Sequence, residues 1–305
     1  MVNVNGRVLL FGGRNSTYVY NDLWEFDPST NTFRQIVPSS VSPPPRYSHG
    51  AAEFNGRMYV LGGHNVGSAS QDLWYFASGT NTWTQGSSHP TWPAFNHTNL
   101  SHLGDFLYRT SFAGLTSRYD PGTDTWTSGY AEPAPPGGWV GTAPVNGKLC
   151  SFKVEWSNTQ PPPVKVICYE EWTGPYPPGY DMSLSGELQP YTLEPAMAWW
   201  GNTVWLLGGH TSTGSNKQVW QYTFTDATTV AVTRLPDMPT PRTRAAAAPL
   251  SPRPATTAAS ATIQANLPIV VFGGQTIPWG GAMADTMIYT VTVSANFVYL
   301  PLTMR

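Results

Sequence analysis

Two cysteines, Cys150 and Cys168, are the only thiols in the chain, and both lie in one short stretch. They sit in the strand-like runs KLCSFKV and VKVICYEEW, joined by a loop containing NTQPPP. The midpoint between them, Thr159, falls inside that loop, so a hairpin would place the two sulfurs opposite each other across the strand pair. Either a disulfide or two buried thiols satisfies this placement, and a disulfide would argue for an oxidising compartment. Three Asn-X-Ser/Thr triplets, at Asn15, Asn96 and Asn99, offer N-glycosylation sites to a secreted protein. The histidines are His49, His64, His89, His97, His102 and His210, and His97 and His102 have no firm metal-ligand spacing.

The elements that position these residues follow from composition. Only 11% of the 305 residues are charged, against about 25% in a typical soluble domain. Gly and Pro contribute 29 each and aromatics make up 13%, a balance that suits short strands and tight turns and opposes helices. The net charge of −2 and the lack of a basic run set nucleic acid aside as a partner. No apolar stretch approaches the roughly 20 residues of a membrane-spanning helix. The N-terminal MVNVNGRVLLFGG has neither the basic region nor the cleavage site of a signal peptide. Three sequons, a potential disulfide and few lysines nonetheless favour an extracellular or luminal setting, with a cytoplasmic one as the alternative.

The chain repeats. Residues 21–33, NDLWEFDPSTNTF, and residues 71–83, QDLWYFASGTNTW, share seven of thirteen positions, and YDPGTDTW at 119–126 repeats the second half. Gly-Gly doublets end apolar runs at 8–13, 58–63, 204–209 and 269–274. Gly12 and Gly62 are 50 residues apart and Gly62 and Gly208 are 146 apart, so two repeats between them have lost the doublet. Aromatic pairs recur as Phe26 and Phe33, Phe76 and Trp83, Tyr119 and Trp126.

This pattern resembles the kelch repeat: an apolar strand ending in Gly-Gly, then two aromatics with six residues between them. The resemblance implies an all-β, six-bladed propeller with four-stranded antiparallel blades. The expected blades are 1–37, 44–86, 90–129, 137–174, 194–236 and 241–302, all within one domain. Pro-rich separators lie between several of them, and residues 251–266 read as an inserted hairpin loop in the last blade. The first blade has only MVNV for its inner strand, so ring closure looks thin and the chain reads as a possible part of something longer. Strand aromatics such as Trp24, Trp74 and Trp205 are expected in the core.

The resemblance also implies a binding face, made by the loops after Gly-Gly and the segments leading into each first strand. The Pro-Arg lead-ins supply Arg46, Tyr47, Arg242 and Arg244, and the other blades supply Trp92, Phe95, Trp139 and Glu194. After Gly-Gly come Arg14, His64, His210 and Gln275, with Trp279 further on. Arginine and aromatic anchors are the types enriched in interface hot spots. A competing reading has Arg46 and Arg242 tying blades together through backbone carbonyls. The leading expectation is a non-catalytic module binding a protein, peptide or glycan, with no cofactor and no metal. The alternatives are a structural subunit of a larger assembly, and a sugar-active enzyme of the oxidase or mutarotase kind. Radical-copper oxidases such as galactose oxidase resemble this repeat but need a Tyr–Cys link, which two cysteines sharing one blade do not favour. His64 and His210 fall in blades two and five, too far round the ring for one metal.

Overall fold

The computed structural model describes the chain except for residues 66, 91–98, 111–114, 132–136, 156–162, 171–178, 191, 212, 251–261, 276–285 and 297–305. It is an all-β six-bladed propeller. Among the described residues no helix is long and apolar enough to cross a membrane.

Blades one to five each begin with a hairpin whose tight turn fixes the register. In blade one Val2–Val4 pairs with Arg7–Arg14 across Asn5-Gly6, both with positive φ. Asn-Gly is the dipeptide such two-residue turns prefer. Val19–Asp27 and Thr32–Ile36 complete the sheet. Blade two repeats the order with Gly50–Phe54, Arg57–Leu61, Leu73–Ala77 and Thr82–Gly86. Blade three comprises Asn99–Leu103, Phe106–Thr110, Leu115–Asp120 and Thr125–Ala131. Blade four comprises Gly137–Val145, Lys148–Glu155, Lys165–Tyr169 and Tyr180–Asp181, so its outer strand lies beyond residue 174, past the Pro-rich segment.

Blade five has Ala196–Trp200, Thr203–Leu207, Val219–Phe224 and Thr229–Leu235. It gains a fifth strand, Ser183–Gly186, lying parallel along Thr229–Leu235. Blade six shows three strands among the described residues: Ala246–Pro249, Thr262–Phe272 and Thr286–Asn296. Residues 262–266, read from sequence as part of a loop, belong to the second of these. Their alternation Thr-Ile-Gln-Ala-Asn carries no strong apolar signal, and pairing with the adjacent strand decides their state.

The second strands of blades two and five are almost wholly apolar because their alternate residues enter different seams. Met58 and Val60 pack against blade one, whereas Tyr59 and Leu61 pack toward blade three. Val204 and Leu206 join the blade four seam, and Trp205 and Leu207 the blade six seam. A strand covered on both faces has no polar face to alternate with. The paired aromatics sit directly opposite each other on the third and outer strands, with ring centroids at 5.2 Å for Phe26–Phe33, 5.4 Å for Phe76–Trp83 and 5.1 Å for Tyr119–Trp126. Trp205 is fully buried, while Trp24 and Trp74 are only partly so.

The seam between blades three and four differs from the rest. Ser101, Thr110, Thr142 and Ser151 are all buried there. Ser101 donates to the Thr142 carbonyl at 3.0 Å, and the Thr110 and Thr142 hydroxyls are 3.0 Å apart. Hydroxyls held this way avoid the cost of burying unpaired polar groups. Among the described residues, blades six and one meet without a shared strand. Ala248 and Val270 pack on Val8 and Phe26, Phe33 lies 5.0 Å from Phe272, and the Asn3 amide donates to the Pro249 carbonyl at 2.8 Å.

Cys150 and Cys168 occupy directly opposed positions on neighbouring strands of blade four, 4.1 Å apart at Cα, and are joined as a disulfide. Both are buried in the seam with blade five. Intact-mass measurement without reductant is expected to fall about 2 Da below the reduced chain, from loss of two hydrogens on S–S formation. Equal masses would show the thiols free.

Candidate loop-face binding site

The loop face is built by a hydrogen-bonding scheme that recurs in blades two, five and six. In blade two the Arg46 amide donates to the Tyr20 carbonyl of blade one at 2.9 Å, and the Arg46 carbonyl accepts from Gly13 at 2.8 Å. The next residue, Tyr47, exchanges two backbone bonds with His64, the residue after Gly-Gly, at 2.9 and 2.8 Å. Blade five repeats this with Leu193 and His210, and blade six with Thr243 and Gln275. The Arg242 carbonyl accepts from Gly209 of blade five at 2.6 Å. The lead-ins of blades two and six are thus stitched both to their own blade and to the preceding one.

The close approach explains the glycine doublet. Gly12 has φ +60, and a Cβ there would lie 2.7 Å from the Arg46 carbonyl oxygen. Gly208 has φ +71, and its Cβ would overlap the Arg242 carbonyl oxygen in the same way. Only glycine combines a left-handed backbone with that approach.

Arg46 and Arg242, expected among the partner contacts, are instead 1% exposed. The Arg46 guanidinium clamps Asp72 with bonds of 2.6 and 2.7 Å and donates to the Gly62 carbonyl at 2.9 Å and the Pro44 carbonyl at 3.1 Å. Arg242 donates equivalently to the Gly273 carbonyl at 2.8 Å. A planar fork with several donors suits a carboxylate and carbonyls converging from different segments. These residues hold the lead-ins in place, and the side chains that follow them reach the surface. Asp72 also accepts from the Trp74 indole at 2.7 Å and from Ser70. Burial pushes its carboxyl up, but Arg46, Ser70 and Trp74 outweigh this and hold it below the ordinary range.

Two residues after each lead-in arginine position, the backbone turns left-handed at a non-glycine residue: Ser48 at φ 55, Glu194 at φ 51 and Arg244 at φ 58. Such conformations persist where the surrounding structure over-determines them, and they cluster at ligand sites. In blades five and six the last two are neighbours. The Arg244 amide donates to the Glu194 carbonyl at 3.0 Å, and its Nε donates to Glu194 Oε2 at 2.6 Å. Arg244 Nη1 donates to Gln275 Oε1 at 3.4 Å. His210 Nδ1 lies 3.0 Å from the Thr243 hydroxyl and 3.5 Å from Glu194 Oε2. Burial lowers the His210 imidazole, Glu194 raises it and Arg244 lowers it, and the balance falls below the ordinary value. Glu194 and Arg244 remain about a fifth to a quarter exposed, at 21% and 25% of their side chains.

A second cluster forms at blades one and two. The exposed Arg14 lies 4.3 Å over the Tyr47 ring, which packs 5.6 Å from His64. Beneath them, His49 has no hydrogen-bond partner for its buried Nδ1 and is held neutral, with its pKa lowered to about 3 by burial and then by the amino terminus and Arg46. Trp92, Phe95, Asn96 and Trp279 lie outside the described residues. Trp139 falls in the inner strand of blade four at the register of Lys153.

Among the described residues no three His, Cys, Asp or Glu side chains gather to hold a metal. The left-handed position, Thr243, and the Asp72 acceptor are absent from the sequence expectations. Asp22 and Asp72 recur in the NDLW and QDLW repeats, and that recurrence was the available signal for the acceptor.

Comparison with known proteins gives a family match over part of the chain. The KLHDC2/KLHL20/DRC7 Kelch-repeats domain matches residues 1–143. No curated protein matches the chain. The match spans the first three blades and enters the fourth, and a five-stranded and a three-stranded blade follow among the described residues. Residues 1–143 are thus similar to the kelch-repeat family, and the chain folds as a six-bladed β-propeller.

Proposed function

We propose that this propeller is a non-catalytic interaction module that holds a protein, peptide or glycan on its loop face, centred on blades five and six. Kelch propeller domains typically serve protein interaction, which supports a protein or peptide occupant first. The observation that carries the reading is the Glu194–Arg244 pair. Two left-handed positions in adjacent blades present opposite charges side by side, with Gln275 and His210 around them. The backbone beneath is bonded in both directions, so the side chains are presented without a large ordering cost on binding. Arginine at such a position is a frequent interface anchor.

Arg244→Ala is expected to weaken partner retention by about tenfold or more, the level of a hot-spot residue. Thermal unfolding should shift little, because a partly exposed ion pair contributes roughly 0–1 kcal/mol. Titration calorimetry with a co-purified partner checks the first, and a melting curve the second. Unchanged affinity in Arg244→Ala would move the binding surface elsewhere.

A further inference from the structure

The loop that follows Gly-Gly in blade one carries the triplet Asn15-Ser16-Thr17, exposed throughout. Its geometry is set locally. Asn15 Oδ1 accepts from the Thr17 amide at 2.8 Å and the Tyr18 amide at 2.6 Å, while the Asn15 amide donates to the Tyr18 carbonyl at 2.9 Å. Asn15 Nδ2 donates one hydrogen to the Tyr20 hydroxyl at 2.5 Å. An amide nitrogen has two hydrogens, so this bond engages one of them. All these contacts fall within residues 15–20, so the turn can form as soon as the hairpin around it does, before the ring closes.

From these observations we infer that Asn15 is an N-glycan attachment site. The donor required is an oligosaccharide linked through a pyrophosphate to a lipid, presented by a transferase of the secretory pathway. Nδ2 attacks the anomeric carbon of the first sugar and a C–N bond forms. The bond from that carbon to the pyrophosphate oxygen breaks, the lipid pyrophosphate leaves with the electron pair, and one Nδ2 proton is released. Two amide donors already aimed at Oδ1 stabilise the negative charge that gathers there as Nδ2 gives up its proton. The hydrogen bond to Tyr20 uses the hydrogen that remains.

The other described sequon contrasts with this one. Asn99 opens the inner strand of blade three, paired with Thr110, and its sequon hydroxyl, Ser101, is 1% exposed and donates to the Thr142 carbonyl at 3.0 Å. Asn15 is therefore the described sequon that stays accessible in the folded blade. The Cys150–Cys168 disulfide is an independent sign of an oxidising compartment, the setting in which such a donor is met. The inference stands apart from the binding proposal above and neither depends on the other.

The test uses the native protein isolated from its source. Digestion with an N-glycan amidase in heavy-oxygen water converts a glycan-bearing asparagine to a labelled aspartate, which peptide mass spectrometry locates. Asn15 should be labelled and Asn99 unlabelled. Thr17→Ala, a change in an exposed loop, should abolish the label and sharpen the protein on a gel while leaving its melting curve in place. Native protein with an unmodified mass and no label at Asn15 overturns the inference, and so does a label that persists in Thr17→Ala.

Discussion

Gly208→Ala is expected to destabilise the propeller by about 2–5 kcal/mol, combining a left-handed alanine with an overpacked contact. Its Cβ would overlap the Arg242 carbonyl oxygen and crowd the Asn216 carbonyl oxygen at 3.2 Å. The Arg242 carbonyl cannot retreat without giving up its bond from Gly209 at 2.6 Å, which links blades five and six. The lead-in carrying Arg244 would therefore move with it, and partner retention should fall together with stability. Gly147→Ala is an internal comparison. That glycine also has φ +73, but nothing lies within 4 Å of its added Cβ. Its cost should be confined to backbone strain of about 1–2 kcal/mol. Chemical unfolding of the two variants side by side separates the steric contribution from the conformational one. Equal losses would show that the Arg242 carbonyl has room to yield.

Arg46→Ala should cost about 3–5 kcal/mol, because removing one member of a buried ion pair strands the other. The variant leaves Asp72, whose side chain is 15% exposed, without its bidentate partner and releases the Gly62 carbonyl. The reach of the effect has a clear pH dependence. The Asp72 carboxyl is held below its unfolded value, so its contribution is present above roughly pH 4 and is lost as pH falls through the folded value. The wild type should therefore lose more stability than Arg46→Ala over that acid window. Blade five indicates how the change can be compensated. It carries Thr192 where blade two has Arg46, and Gln218 where blade two has Asp72. Thr192 donates to the Pro190 carbonyl at 3.2 Å as Arg46 does to Pro44, and Gln218 accepts from the Trp220 indole at 3.2 Å as Asp72 does from Trp74. Arg46→Thr combined with Asp72→Gln should recover a large part of the loss, a coupling that a double-mutant cycle reads directly. A loss under about 0.5 kcal/mol in Arg46→Ala would mean the pair is not structural, since surface substitutions fall in that range.

Much of the fold was legible because the repeat is a local signal. The doublets, the apolar second strands and the aromatic pairs each record one packing requirement of a blade, and they recur in order. What escaped was set by tertiary context. Tyr180–Asp181 completes blade four past a Pro-rich segment that reads as a separator, and Ser183–Gly186 adds a parallel strand to blade five with no repeat to announce it. At the site, the face was legible but the depth of each side chain was not. Arg46 and Arg244 stand in the same Pro-Arg style of lead-in, yet one is buried and the other, itself at a left-handed position two residues further on, is partly exposed. A sequence without alignment does not display that turn when serine, glutamate and arginine occupy it in place of glycine.

The most direct test of the binding face is a comparison of three proteins against the partner recovered with the native propeller under mild, non-reducing conditions. They are the wild type, Arg244→Ala, and Asp105→Ala in the exposed turn between the first two strands of blade three, at the opposite end of the ring. Affinities measured at one salt concentration should fall about tenfold or more for Arg244→Ala and stay at the wild-type value for Asp105→Ala. A partner held equally by all three, or lost with Asp105→Ala alone, would contradict a binding surface on the loop face of blades five and six.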